Sequence, residues 1–220
     1  MPAVCDPAGN GSTVPAGFQI VHVRASDPAR VAAVARLFTA YTDSLGIDLA
    51  YQNYAAELAG LPGKYGPPGG ALLLLVRSRD TQKGEGKEAE HAASAEEQEA
   101  VGCVALRALP DVDVKIDSAT DGSTRRMRRA EIKRLYVDPA ARGHRLGRAL
   151  FAAVLDEARG KGYDEVVLDT LAHMGEARRM YEREGFVEME GPYYEVAGGT
   201  GDVAEKQQHP EGTVFYRLGL

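Results

Sequence analysis

The chain has 220 residues, 44% of them hydrophobic and 26% charged, with a formal net charge of −6 and a pI of about 5.5. This composition supports a buried core and excludes a chain that is disordered throughout. Its acidic balance disfavours general attraction to nucleic acid or anionic membrane. Two cysteines are too few for a disulfide framework or a structural zinc site, and they favour a reducing compartment. With no secretory signal and no apolar run of roughly 18 residues, the sequence predicts a cytoplasmic protein without a metal and without a nucleic-acid or membrane partner.

The first half of the chain predicts alternating strands and helices after a disordered leader over residues 1–16. Asp27 followed by Pro28 is typical of a helix start, as N-cap and first helical residue. The run ALLLLVRS is continuously apolar up to its end, which indicates a strand buried on both faces. The predicted strands are 18–25, 71–78 and 100–109, and the predicted helices begin at Asp27 and at about residue 48, the second ending near residue 61.

Three polar stretches, at about 80–99, 111–128 and 197–210, are predicted to be mobile insertions. The first holds seven acidic residues and two lysines without an aromatic or branched aliphatic residue, so it cannot bury a face. An acidic peptide that binds a basic partner is the alternative interpretation. The run RRMRR, at 125–129, is too short and too poor in aromatic residues for a nucleic-acid site. It is interpreted as a solvated loop end that adds positive potential near an anion.

The second half continues the series of strands and helices without an internal repeat. Gly185 follows a helical stretch, where a glycine suits a left-handed C-cap. The mixed series favours one α/β (α+β) domain over residues 17–220. The predicted strands are 131–137, 165–170, 186–190 and 213–220, and the predicted helices are 146–161 and 174–184.

A glycine-containing basic turn, ARGHRLG at 141–147, joins a predicted strand to a predicted helix. The first N–H groups of a helix have no intrahelical partner, and the helix dipole places partial positive charge there. The two glycines allow close backbone approach, and the arginines add charge, so the turn is a candidate phosphate cradle. The alternative is an ordinary connection with solvated arginines. The spacing matches neither a P-loop nor a dinucleotide fingerprint.

The segment from 131 to 186 resembles the GNAT family of N-acetyltransferases. The family turn Arg/Gln-x-x-Gly-x-Gly/Ala matches 142–147, and the pattern A-x-x-x-Y-x-x-x-G-F matches 177–186. Further segments, including GIDLAYQNYAAELAGLPGKYGPPGGALLL, resemble a branch of small, mostly uncharacterised acetyltransferases. The resemblance covers most of 18–220 outside the insertions. It implies a mixed sheet of about seven strands flanked by about four helices, with two strands splayed to form an acetyl-CoA cleft.

The resemblance implies acetyl-CoA as the cosubstrate and assigns its contacts. Backbone groups of one strand edge would hold pantetheine, the turn would bind the pyrophosphate, and Thr170 would line the cleft. Arg145 departs from the family pattern, which has a glycine there, so its side chain narrows backbone freedom while adding a cation. His144 either touches phosphate or is solvated. The implied contacts are Leu135, Tyr136, Val137, Arg142, Gly143, His144, Arg145, Leu146, Gly147, Arg148 and Thr170.

In the family, the acceptor amine attacks the thioester directly, which requires a proton acceptor for the amine and a proton donor for the leaving thiolate. Glu131 resembles the glutamate base of the family, or else it pairs with Arg129 or Lys133. Tyr181 matches the family proton donor, since a phenol stays protonated at pH 7, or else it belongs to the core.

The acceptor walls implied by the resemblance carry acidic and phenolic side chains, which suit a cationic amine, although ordinary surface chemistry explains them as well. Asp169 and Thr170 could instead cap a helix. The function implied is acetyl-CoA-dependent N-acetylation of a small amine or an exposed protein amine, by a monomer or homodimer. The alternative is a CoA-binding regulatory or sensor module without turnover. The acceptor candidates are Tyr41, Asp48, Tyr51, Gln52, Asp169, Tyr193, Tyr194 and Glu195.

Overall fold

The computed structural model describes residues 14–46, 54–78, 98–115, 123–193 and 209–220. It contains four α-helices: α1 (Pro28–Leu45), α2 (Tyr54–Ala59), α3 (Leu146–Gly160) and α4 (Gly175–Arg183). Its nine strands are β1 (Phe18–His22), β2 (Ala71–Ser78), β3 (Gln98–Ala108), β4 (Val112–Lys115), β5 (Thr124–Met127), β6 (Arg129–Val137), β7 (Glu165–Leu171), β8 (Val187–Met189) and β9 (Thr213–Gly219).

Seven strands form one mixed sheet in the order β1-β2-β3-β6-β7-β9-β8. Every neighbouring pair is antiparallel except β6 and β7, which run parallel. Helix α3 makes the crossover between these two parallel strands, as a parallel pair requires. The predicted α/β (α+β) class, with about seven strands and about four helices, is confirmed.

Both faces of the sheet are covered, because the central strands carry apolar side chains on both faces. Leu73 and Leu75 pack in the core cluster that contains α3, whereas Leu72 and Leu74 pack with α1 residues such as Phe38. Successive strand residues point to opposite faces, so a strand buried on both sides must be apolar throughout. On α3, buried residues recur at helical spacing, at Leu146, Leu150, Val154 and Ala158.

The parallel strands β6 and β7 separate soon after they meet. Their pairing covers only Arg129–Glu131 of β6 and residues 165–167 of β7. Strand β6 also carries a bulge, because Tyr136 pairs with Cys103 of β3 while Lys133 pairs with Ala105. The extra residue lies beside Arg134, whose φ of 58° is unusual for a residue other than glycine. The splay predicted from the resemblance is therefore present, and it opens at the carboxyl ends of both strands.

Several segments differ from their sequence-based expectations. The stretch 111–128 was expected to be a mobile insertion, but its described ends form the antiparallel pair β4–β5. Arg129 of RRMRR begins β6 and is buried, so that run does not end as a solvated loop. Gln98 and Glu99 belong to β3 rather than to the acidic insertion, and Val14 of the expected leader packs against the core. Residues 1–13, 80–97 and 197–208 of the expected leader and insertions lie outside the described residues. No described helix is both long and apolar enough to cross a membrane.

Candidate active site

The splay exposes one backbone edge of β6 where the sequence predicted cosubstrate contacts. Tyr136 and Val137 pair with β3 on one side, while on the other side the pairing with β7 has ended at Glu131. Leu135 and Val137 are half-buried against the α3 core. Apart from the Val137 carbonyl oxygen, which accepts from Arg142 Nε, the β7-facing backbone groups of these residues are thus available to an extended ligand that lies along the strand.

The basic turn leads from β6 into the N-terminus of α3. Gly143 has φ of 98°, and an added Cβ would meet no atom within 4 Å, so glycine is favoured there by conformation rather than by space. Arg145 adopts the left-handed conformation, with φ of 56°, and occupies the N-cap of α3 without a side-chain cap. An uncapped helix N-terminus reached through a glycine turn can bind an anion.

The side chains of the turn have different surroundings. Arg142 donates from Nε to the Val137 carbonyl oxygen at 3.2 Å, which ties the turn to the end of β6. Arg148 pairs with Glu184 at the end of α4, at 2.9 Å. His144 is exposed, and its ring centroid lies 5.9 Å from that of Phe18. The turn therefore lies beside the mouth of the splay.

Tyr181 lies in the core beneath the cleft, 7% exposed. Its ring centroid is 5.1 Å from Phe151 and 6.0 Å from Tyr216. Burial raises the pKa of its phenol, and the nearby Tyr41 and Asp169 raise it further, so the hydroxyl stays protonated at neutral pH. This hydroxyl makes no hydrogen bond to another described residue. Tyr181 is thus both a core residue and a protonated phenol near Asp169.

Glu131 is fully buried and belongs to a group of charged side chains on one face of β6 and β7. Arg107 of β3 donates to its Oε2, Lys133 lies 3.0 Å from its Oε1, and the Tyr193 hydroxyl lies 2.6 Å from the same oxygen. Of the two ion-pair partners considered from the sequence, Lys133 is present, whereas Arg129 pairs with Glu165 at 2.9 Å.

Asp169 completes this group, which we call the carboxylate cluster: Arg107, Glu131, Lys133, Asp169 and Tyr193. Its Oδ1 lies 3.0 Å from Lys133 Nζ and 2.9 Å from the Tyr193 hydroxyl. The Asp169 side chain keeps 20% of its surface exposed, whereas that of Glu131 keeps none. Asp169 is the carboxylate of the cluster that solvent reaches.

Thr170 points to the opposite face of β7, because neighbouring strand residues alternate. It is buried, and its hydroxyl contacts Met174 Sδ at 3.5 Å. Met174 is the N-cap of α4 and has no side-chain cap. Neither Asp169 nor Thr170 therefore caps that helix, which was the alternative role considered for them.

Of the acceptor candidates, Tyr41 on α1, Asp169 on β7 and Tyr193 belong to the described residues. Burial raises the pKa of the Tyr41 phenol, and Asp169 adds to this effect, while the Tyr41 ring lies 6.0 Å from that of Tyr136. Asp169 thus raises the pKa of both Tyr41 and Tyr181, so its charge acts on both phenols. The other acceptor candidates lie outside the described residues: Asp48, Tyr51, Gln52, Tyr194 and Glu195.

A second buried ion pair, which we call the clamp, joins Arg134 of the bulge to Glu57 of α2. Arg134 Nε and Nη2 lie 2.9 and 3.1 Å from the two oxygens of Glu57, and both side chains are 4% exposed. The Tyr65 hydroxyl donates to Glu57 at 3.0 Å. Burial tends to raise the pKa of Glu57, but hydrogen bonds and charge from Arg134 outweigh it and hold that pKa below its usual range. The clamp fixes the bulge to α2.

The clamp and His209 were not singled out from the sequence. The adjacent basic residues Lys133 and Arg134 inside a predicted strand could have indicated a bulge. An irregularity of the strand allows both side chains to be buried. His209 packs edge-on against Phe215 at 4.7 Å. Burial lowers its pKa, although Asp169 and Glu131 partly oppose the effect. Its place in a late polar loop gave no signal of this position.

A cavity of about 510 Å³ lies at the other end of β6 and β7. The buried pair Arg129–Glu165 lies in its wall, and Tyr193 lines it while its hydroxyl reaches the carboxylate cluster. The remaining lining residues are Leu109, Pro110, Asp111, Val112, Asp113, Met127, Met189, Pro192 and Arg217. The cluster therefore lies between this cavity and the splay.

Comparison with known proteins identifies the architecture. Residues 73–186 match the acetyltransferase (GNAT) family. An uncharacterized N-acetyltransferase of Schizosaccharomyces pombe is 34% identical over 154 residues, covering 70% of this chain and 74% of the relative. The fold is similar to an acetyltransferase from Streptococcus agalactiae, with a TM-score of 0.58 at 20% identity over 93% of this chain and 99% of the other. It is also similar to a chain of the NatC complex bound to Gag peptide and CoA, with a TM-score of 0.57 at 18% identity over 92% and 98%.

Proposed function

Since this chain belongs to the GNAT family of acetyltransferases, we propose that it transfers an acetyl group from acetyl-CoA to a primary amine by direct attack. The observation that carries this proposal is the splay of β6 and β7, which opens a backbone edge beside an uncapped helix N-terminus. Acetyl-CoA supplies the activated acyl group as a thioester. The acceptor is the amine of a small molecule or an exposed protein amine.

The residues of the splay fit a pantetheine and pyrophosphate ligand. Leu135, Tyr136 and Val137 would hold the amides of the pantetheine arm through their free backbone edge, as an added strand does. The turn 142–148 would hold the pyrophosphate with the N–H groups at the start of α3. A Cβ at Gly147 would touch only Val137 Cγ2, at 3.9 Å, so packing within the chain does not require glycine there.

Proton movements are assigned to two buried centres. Tyr181 would protonate the leaving thiolate, which its raised pKa and its hydroxyl, without a described hydrogen-bond partner, support. The carboxylate cluster, with Glu131 as its deepest member, would receive the proton of the acceptor amine. Tyr41 and Asp169 would attract the amine as a cation before it loses that proton.

Cosubstrate binding is tested by thermal denaturation with and without acetyl-CoA. A ligand at about 100 times its Kd stabilises a fold by roughly 2.7 kcal/mol. We expect this shift in the native protein and its loss in Gly147→Val, whose side chain would occupy the space of the pyrophosphate. Gly160→Val is the matched control, because Gly160 ends the same helix and an added Cβ there meets nothing within 4 Å. Equal shifts in both variants would contradict the assignment of the turn.

Turnover is tested with Tyr181→Phe, by following thiol release from acetyl-CoA over a panel of primary amines. We expect at least about a hundredfold loss of rate, the lower end of what a positioned proton donor contributes, with the acetyl-CoA shift retained. Tyr163→Phe is the control, because that hydroxyl bonds the Gly69 carbonyl oxygen at 2.7 Å away from the cleft. An unchanged rate in Tyr181→Phe would leave Tyr181 as a packing residue. Binding of acetyl-CoA without thiol release from any amine would favour a sensor module.

A further inference from the structure

The Tyr193 hydroxyl lies within hydrogen-bond distance of two different carboxylates. It is 2.6 Å from Glu131 Oε1 and 2.9 Å from Asp169 Oδ1. A phenol has one proton to donate. If the hydroxyl donates to the nearer oxygen of Glu131, its contact with Asp169 becomes a hydrogen bond only when Asp169 carries a proton and donates to the phenol oxygen.

Lys133 is the second group that both carboxylates share, and it suits an ionised Asp169, whereas Tyr193 suits a protonated Asp169. Lys133 Nζ lies 3.0 Å from the same two oxygens, and an ammonium has protons for both. An ionised Asp169 accepts from Lys133, while a protonated Asp169 donates to Tyr193. Both states of Asp169 have a hydrogen-bond partner in place, which is what a group that gains and loses a proton during a reaction requires.

We propose that Asp169 is the catalytic residue that takes the proton from the acceptor amine. Tyr193 is then a positioning residue whose oxygen accepts from protonated Asp169, and Glu131 positions Tyr193 by accepting its hydroxyl proton. The assignment rests on the proposed acetyl transfer and names the base of that reaction. Glu131 has no exposed surface and accepts from Arg107, whereas Asp169 keeps 20% of its side-chain surface open. The charge of Asp169 also raises the pKa of both Tyr41 and Tyr181.

In the proposed acetyl transfer, each bond that breaks is matched by a bond that forms. An N–H bond of the ammonium acceptor breaks and an O–H bond forms at Asp169, leaving the nitrogen electron pair to form the C–N bond to the acetyl carbonyl. The C–S bond breaks with its electron pair on sulfur, which takes the proton of Tyr181. The second nitrogen proton restores Tyr181, and Asp169 releases its proton to solvent. One ammonium and one thioester thus give one amide, one thiol and one proton.

Charged and titratable groups from several elements surround Asp169. His209 is neutral near pH 7 because burial lowers its pKa, so it adds no positive charge there. The remaining groups are Glu131 and Lys133 on β6, Arg107 on β3, Tyr41 on α1, Tyr181 on α4, and Tyr193 before β9.

The test measures kcat/KM for acetyl transfer to benzylamine, spermidine and a lysine peptide with a free N-terminus, across pH 6 to about 10, the range over which alkylamines lose their proton. Asp169→Asn preserves size and can still accept from Lys133. We expect its rate near pH 7 to fall by about 10² to 10⁴, and the gap to the native protein to narrow as rising pH frees the amine. The acetyl-CoA thermal shift should stay unchanged.

Three further variants separate the base from the groups that position it. Tyr193→Phe keeps the edge-on ring contact with Phe215, 5.7 Å between centroids, but loses the oxygen that accepts from protonated Asp169. We expect a smaller loss of rate and an acid limb displaced to lower pH. Glu131→Gln should lower the rate about tenfold or less without removing the pH dependence. Asp169→Ala should regain activity with added formate, a rescue that a structural role would not produce.

Each outcome decides a different claim. A native pH profile and rate in Asp169→Asn would overturn the assignment of the base alone. Loss of the pH dependence in Glu131→Gln or His209→Gln, but not in Asp169→Asn, would assign the base to that other residue. A native protein that binds acetyl-CoA and releases no thiol with any of the three amines would overturn the proposed function, and the base assignment with it.

Discussion

Strand β6 carries two buried charged centres, the clamp at Arg134 and the carboxylate cluster at Glu131, and they differ in how their protons are matched to acceptors. In the clamp, two guanidinium N–H groups meet the two oxygens of Glu57, and the Tyr65 hydroxyl donates to one of them. In the cluster, one hydroxyl faces two carboxylates. The matched donors and acceptors of the clamp favour one fixed arrangement. In the cluster, two carboxylates share one hydroxyl, so a proton can be gained and lost there.

Solvent access follows the same division. Both partners of the clamp are 4% exposed, and the clamp restrains a bulge with φ of 58° at Arg134, a conformation that costs about 1–3 kcal/mol for a residue other than glycine. The cluster opens to the cleft through Asp169, which is 20% exposed. The comparison therefore predicts that damage to the clamp appears first in stability, and damage to the cluster first in rate.

The largest effect on stability is expected from Glu57→Ala, which leaves Arg134 buried without its carboxylate. Breaking a buried pair in this way costs about 3–5 kcal/mol, measured as the free energy of unfolding in urea. Glu99→Ala is the matched control, because its pair with Arg77 is 41% and 40% exposed and exposed pairs contribute about 1 kcal/mol or less.

A double variant sharpens this result. Arg134→Gly in the Glu57→Ala background removes the buried cation that has lost the Glu57 carboxylate and places glycine at a positive φ, so part of the lost stability should return. A double variant that is less stable than Glu57→Ala, or equal losses in Glu57→Ala and Glu99→Ala, would contradict the role of the clamp.

A smaller effect is expected from acid. Although burial alone would raise the pKa of Glu57, hydrogen bonds from Arg134 hold it below its ordinary value of 4.5. A carboxyl whose pKa is lower in the folded state stabilises the fold above its unfolded pKa and loses that contribution as pH falls through the folded value. Native protein should therefore lose its advantage over Glu57→Gln below about pH 4.5. If the free energies of unfolding of the native protein and of Glu57→Gln change in parallel from pH 7 to pH 3, Glu57 is not the titrating group.

Most of the sheet and its helices could be predicted because periodicity reports burial directly. The apolar run of β2 and the apolar stripe of α3 lie where they were expected. The β4–β5 pair was missed because the alternation in DVDVK covers only five residues and its partner STRRM shows no apolar alternation.

The site was predicted only where one continuous segment carries it. The turn at 142–147 and Tyr181 come from local patterns that resemble a family. By contrast, Arg134 and Glu57 lie 77 residues apart in the chain, and Tyr193 lies 62 residues from Glu131. Pairings across such separations depend on the register of the folded sheet, which no local pattern encodes.

The central claim, that the splay of β6 and β7 holds acetyl-CoA, is tested most directly by backbone hydrogen exchange with and without this ligand. Slower exchange is expected at amides 135–137 and at 143–148, where the open strand edge and the start of α3 would contact it. Slowing that is absent from both segments and appears instead around the cavity at 109–113 would contradict the account.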